Sequence, residues 1–133
     1  MQFQTRSRSR LIQTIALGGA ITLTGCHSAY ISATISNHTA APIALVELDY
    51  PSASFGTQTL APGADFHYRF KVLGSGPLKF LFTDPARHDH TLPGTTLQEG
   101  DEGTLTVTLT PTGTDWSPHF SNRTLAPLHN PLP

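Results

Sequence analysis

The chain reads as all-β, a single antiparallel β-sandwich occupying residues 31–110, and three observations lead there. Apolar residues recur at every second position in several short stretches, the period of a strand buried on one face. Clusters of Gly, Pro, Asp and Ser punctuate those stretches where turns are needed. No part of the segment carries the 3.6-residue apolar spacing of an amphipathic helix.

The elements follow in order. Ile31, Ala33 and Ile35 alternate with Ser32, Thr34 and Ser36. Residues 43–50 place Val46, Leu48 and Tyr50 on one side and Glu47 and Asp49 on the other. The clearest strand runs over residues 65–73, with Phe66, Tyr68, Phe70 and Val72 facing a core and His67, Arg69 and Lys71 facing away. Leu78, Phe80 and Phe82 repeat the pattern, and so do Leu105, Val107 and Leu109 among threonines. Between them stand the turn sequences Ala61-Pro62-Gly63, Gly74-Ser75-Gly76-Pro77, Asp84-Pro85-Ala86-Arg87 and Glu99-Gly100-Asp101-Glu102-Gly103. The early strand, Asn37-His38-Thr39 and the second strand resemble the first hairpin of immunoglobulin-like domains. Leu60-Ala61-Pro62-Gly63 before an aromatic strand is similar to a run found in extracellular sandwiches of that kind. That resemblance implies an immunoglobulin-like or related topology and no activity. The basic stripe of His67, Arg69 and Lys71 is expected to pair with the strand of Glu47 and Asp49. The alternative is a docking face for an acidic partner. Residues 111–133 hold five prolines without apolar periodicity and read as an extended, poorly ordered tail, which Trp116 and Phe120 could tack to the sandwich.

The amino-terminal segment has a separate logic. Arg6, Arg8 and Arg10 precede an apolar stretch from Leu11 to Thr24, and small residues lead to Cys26, the chain's only cysteine. Leu23-Thr24-Gly25-Cys26 resembles the lipobox of bacterial lipoproteins. The resemblance implies a diacylglyceryl group on the Cys26 sulfur and cleavage before it, followed by acylation of the new amino terminus in organisms that carry out that step. Residues 1–25 are then a signal peptide, residues 26–30 a lipidated tether, and the sandwich follows at once. His27 rather than aspartate follows the cysteine, which the enterobacterial sorting pattern associates with the outer membrane. A membrane helix is the first competitor, but a span needs about 20 apolar residues. Leu11 to Gly25 supplies fifteen, interrupted by Gln13, Thr14, Thr22 and Thr24. An ordinary secretory signal leaving a free thiol is the second. No adjacent arginine pair supports twin-arginine export.

Removing the first 25 of 133 residues leaves 108, the size of one domain. Lys and Arg fall from eight to five while all nine Asp and Glu remain, a side-chain balance of −4. That mild acidity argues against nucleic acid, which demands a basic patch, and against electrostatic capture by anionic headgroups, so membrane contact is expected from the lipid on Cys26. Met1 and Cys26 are the only sulfur-bearing residues. With one removed and the other acylated, no thiol nucleophile, disulfide or thiolate metal site remains, and blue copper and soft Cu(I) sites are excluded.

His88 and His90 are the candidate metal ligands. If residues 88–90 are extended, both imidazoles project to one side, a spacing usable by Zn or Cu(II). Asp84 lies just upstream, and a solvated hairpin tip is the plainer expectation. Gly74-Ser75-Gly76 lacks nucleophile-elbow spacing, and the pairs Glu47/Asp49 and Asp101/Glu102 fit a polar face and a turn better than acid–base chemistry. Two sequons, at Asn37 and Asn122, read as turn and tail residues. The expectation is therefore a non-catalytic envelope lipoprotein, a binding or structural accessory module with no cofactor and an envelope protein as partner. The alternative is a ligand- or metal-binding lipoprotein using the hairpin at residues 84–90.

Overall fold

The computed structural model describes residues 28–121 and 126–133. Residues 1–25, expected to be a signal peptide, and Cys26 lie outside the described residues. The nine strands are β1 (Ile31–Asn37), β2 (Ile43–Tyr50), β3 (Ala53–Leu60), β4 (Asp65–Phe70), β5 (Gly76–Thr83), β6 (Asp89–Leu97), β7 (Gly103–Thr110), β8 (Gly113–Phe120) and β9 (Leu128–Pro131). They form two sheets, β4-β1-β7-β8-β9 and β3-β2-β5-β6, packed as a β-sandwich. Every pairing is antiparallel except β1 with β7, which run parallel from Ile31 opposite Gly103 to Asn37 opposite Leu109.

The two inner faces are the apolar rows of the sequence. Ile31, Ala33 and Ile35 of β1 and Leu105, Val107 and Leu109 of β7 are buried, as are Val46 and Leu48 of β2 and Leu78, Phe80 and Phe82 of β5. Burying two faces against each other removes these side chains from water at about 25 cal/mol per Å². Trp116 of β8 sits at the centre with no exposed surface, its ring edge-on to Phe80 at 6.4 Å. The opposing β6 accommodates it because residue 94 is glycine: a Cβ there would lie 2.4 Å from the indole.

The structure corrects four expectations. First, β1 and β2 do not form a hairpin, because they belong to different sheets. Asn37 turns the chain across the sandwich. Its buried side chain donates through Nδ2 to the carbonyls of Ala41 at 2.9 Å and Leu60 at 3.0 Å. Its Oδ1 accepts from the Thr39 N–H at 3.0 Å and the Thr39 hydroxyl at 2.7 Å. The backbone N–H and C=O of Asn37 engage Ala64 and Gly63, so one residue pins the β1–β2 and β3–β4 loops together.

Second, the chain after Thr110 is not a loose tail in its described part. β8 pairs with β7 along its whole length and β9 pairs with β8 from Gly113 to Trp116. Thr114, Trp116, Pro118 and Phe120 point inward as a period-two row. Pro118 falls beyond the reach of β9, where β8 is an edge, and an edge tolerates a residue without an N–H. On the far edge, the Asn130 amide donates to the Pro93 carbonyl and fastens β9 to β6.

Third, the predicted strand at 65–73 ends at Phe70, and its inward row is only partly enclosed. Phe70 and Val72 are buried, Phe66 is half-buried, and Tyr68 is 44% exposed. β4 is an edge strand, so Tyr68 covers the rim instead, stacked on Phe55 of β3 at 4.4 Å. Fourth, the basic stripe does not face Glu47 and Asp49. Arg69 and His67 stand opposite Ser32 and Thr34 of β1, and Asp49 stands opposite Lys79 of β5. The Arg69 guanidinium lies over the Tyr30 ring at 4.3 Å, and His67 Nδ1 is 3.0 Å from the Thr34 hydroxyl.

Asn37→Ala should strand the buried Leu60 carbonyl and cost on the order of 2–4 kcal/mol, read as a lower urea midpoint. Asn37→Asp, which keeps the shape but loses both donations, should cost at least as much. An unchanged midpoint in either would show that the two loops are held by other contacts.

Candidate functional site

The strand directions give the sandwich two unlike ends. Residues 28–30, the β2–β3 turn, and the loops at 71–75 and 98–102 crowd one end, where the chain leaves toward Cys26. The loops at 38–42, 61–64, 84–88 and 111–112, together with residues 132–133, form the other. The histidine candidates belong to this far end.

Asp84 organises the turn there. Its backbone N–H donates to the His88 carbonyl at 2.9 Å, the Arg87 N–H donates to the Asp84 carbonyl at 2.9 Å, and Arg87 takes the left-handed φ of 67° that closes the turn. Asp84 Oδ1 accepts the His88 N–H at 2.9 Å. Asp84 Oδ2 meets His90 Nε2 at 2.9 Å and His88 Nδ1 at 3.5 Å. His88 lies in the turn rather than on an extended segment, with a side chain 74% exposed. His90 is the second residue of β6, with only 14% of its side chain exposed and its ring stacked on Phe82 at 4.7 Å. The two imidazoles are thus brought together, by one carboxylate rather than by strand geometry. His67 and His129 do not join them: His67 bonds Thr34 and His129 pairs with Asp115. Among the described residues no group of three or more His, Cys, Asp or Glu side chains is arranged to hold a metal ion.

Beside this turn lies an apolar cleft of about 340 Å³, lined by Ile43, Phe82, Leu109 and Leu132, by Pro85 and Pro111, and by His90 and Asp84. No local pattern of residues points to it, because its walls come from the β1–β2, β5–β6 and β7–β8 connections and from residues past β9. The other carboxylates have structural settings. Asp101 is buried and accepts the Gln98 N–H at 2.8 Å. Burial, and then Glu47 beside it, push the Asp49 carboxyl up. Ser75 of the Gly-Ser-Gly turn accepts the Glu99 N–H at 3.0 Å, tying two loops at the end where β1 begins. A feature invisible to periodicity is Leu45, 58% exposed with φ of 48°. It sits at a bulge in the β2–β5 pairing, and Gly56 allows the close approach of that bulge because a Cβ would meet the Val46 carbonyl oxygen.

No protein-family model, no curated protein and no solved structure matches the chain. Among the described residues no helix is long and apolar enough to cross a membrane.

The bond from His90, then the His88 backbone N–H, hold the Asp84 carboxyl down from 3.8 to about 2. A depressed carboxylate stabilises the fold above the unfolded pKa, and that contribution disappears as pH falls through the folded one. The thermal midpoint of the wild type should therefore carry a loss between pH about 4 and about 2 that Asp84→Asn lacks, small because solvent reaches the group. Identical acid limbs in the two proteins would show that the carboxylate is not held in this way.

Proposed function

We propose that the protein is a lipid-anchored lipoprotein of the cell envelope, acting as a non-catalytic binding or structural accessory module. One observation carries this: Leu23-Thr24-Gly25-Cys26 closes a basic-then-apolar leader and stands only five residues before β1 begins at Ile31. A sandwich starting so soon after the acylated residue is held close to the bilayer. The outer membrane is the destination that His27 favours. A single acyl chain gives only reversible binding, so a stable anchor requires at least the two chains of a diacylglyceryl group. The partner is an envelope protein reached from the end of the sandwich remote from Cys26, where the apolar cleft and the Asp84 turn are exposed together.

One feature supports a second reading, in which the protein binds a ligand through that end. Asp84 Oδ2 gathers His88 and His90 beside the cleft. The same oxygen already accepts from His90, and His88 is mostly in water, so a metal ion would have to displace one bond and order one side chain. Titration of the purified domain with zinc is expected to show no tight stoichiometric site. Tight binding lost on His88→Ala with His90→Ala would favour the second reading.

Intact mass of the protein extracted from membranes should show an amino-terminal Cys26 carrying diacylglyceryl. The protein should partition into detergent, and Cys26→Ala should leave uncut precursor or soluble protein. A mature chain with an unmodified thiol at Cys26 would end the proposal.

A further inference from the structure

We infer that the tether end carries a membrane-contacting surface of its own, built from Tyr30, Leu73, Arg69 and Lys71 and flanked by Tyr68. It seats the sandwich edge on the phospholipid headgroup layer; this inference rests on the lipid anchor proposed above. Among the described residues five large apolar side chains are exposed; Leu45 on β2 and Leu128 on β9 stand apart, and the other three gather. Tyr30 (36% exposed), Tyr68 (44%) and Leu73 (55%) lie at or near the corner where β1 begins and β4 ends, since Ile31 stands opposite Phe70. Leu73 projects from the loop at 71–75 rather than packing inward, although Val72 beside it is buried.

The chemistry of the corner matches one occupant. Tyrosine rings favour the headgroup level, where the ring is in an apolar layer and the hydroxyl in a wet one. Arg69, exposed, lies over the Tyr30 ring at 4.3 Å, and Lys71, also exposed, follows two residues on; both are cations that can meet a phosphate. Long cationic side chains beside an apolar tip can lay their stems along the hydrocarbon boundary while the charge stays in water. Position agrees with composition. Cys26 precedes Tyr30 by four residues, so the chain can separate them by at most about 14 Å. A lipid on Cys26 therefore brings this corner to the bilayer surface whatever path the intervening residues take. Glu99 and Glu102 stand on the loop at 98–102 at the same end and offset the cations. The contact consequently rests on insertion of the ring and leucine and on phosphate contacts, and does not require anionic lipid.

Acylated Cys26 leaves a single introduced thiol as the only one in the chain, which makes the test direct. Full-length lipidated Leu73→Cys, labelled with an environment-sensitive fluorophore, is placed in phosphatidylcholine vesicles, alongside Leu45→Cys and Arg87→Cys. A nitroxide at the shallow acyl level should quench the label at 73 at least two-fold more than the labels at 45 and 87. Aqueous iodide should quench the label at 73 at least two-fold less. Adding Tyr30→Ser and Lys71→Glu should restore iodide access at 73 while the lipid on Cys26 remains by intact mass. Equal accessibility at 73 and 87 in protein that carries the lipid overturns the surface and leaves the anchor standing. Protein without lipid on Cys26 overturns the anchor, and its label at 73 then decides the surface separately: protection on added vesicles retains it, and free access removes it.

Discussion

The contact on which the sandwich depends is the Trp116 indole lying against the bare backbone of Gly94. The two sheets are joined by few hydrogen bonds, so their spacing is set by what fills the gap. A ring this large fits only if the facing strand gives up a side chain, and β6 does so where a Cβ would fall 2.4–2.8 Å from three indole carbons. Phe80 then meets the ring edge-on and closes the space from the same sheet as Gly94. The rest follows from this fit. β8 must lie inside the fold to deliver the indole, β7 must be covered on both sides, and β9 can then pair with β8 and reach β6 through Asn130. Among the described residues the indole N–H and the Thr114 hydroxyl are buried without a protein partner.

What was legible in the residues was the face of each strand and not its neighbour. Alternation gives the inward rows of β1, β5 and β7, and Val46 and Leu48 of β2, because period two depends only on which side is dry; the bulge at Leu45 breaks the period and hides Ile43. It could not distinguish a hairpin from a crossover between sheets. That choice rested on the side chain of Asn37, whose four hydrogen bonds reach as far as Leu60. Nor could it give the parallel pairing of β1 with β7, which brings together residues some seventy positions apart. β8 is hidden in the sequence because its inward row is Thr, Trp, Pro and Phe, and a proline that marks an open edge looks like the punctuation of a loop. At the candidate site, sequence brought His88, His90 and Asp84 near one another. The cleft beside them needs four separate segments and leaves no local trace.

Function, as proposed, follows from the polarity of the molecule. The strand directions send the chain start to one end and gather the Asp84 turn and the apolar cleft at the other. A tether of a few residues turns that separation into an orientation: one end toward the lipid, the other toward whatever the envelope offers. Of the described cations, Arg69 and Lys71 lie toward the end where the described chain begins and Arg87 lies at the other. Such a design needs no catalytic group. It needs rigidity between its two ends, which a core shared by both sheets supplies.

The chain has a single tryptophan, so its fluorescence reports directly on whether the last strands complete the core. In the native protein Trp116 should emit at the blue end of the tryptophan range, resist quenching by iodide and acrylamide, and shift to the red in one cooperative step with loss of strand signal in urea. Native emission already at the red end and open to quenching would place β8 outside the sandwich and contradict the arrangement on which both ends of the molecule rest.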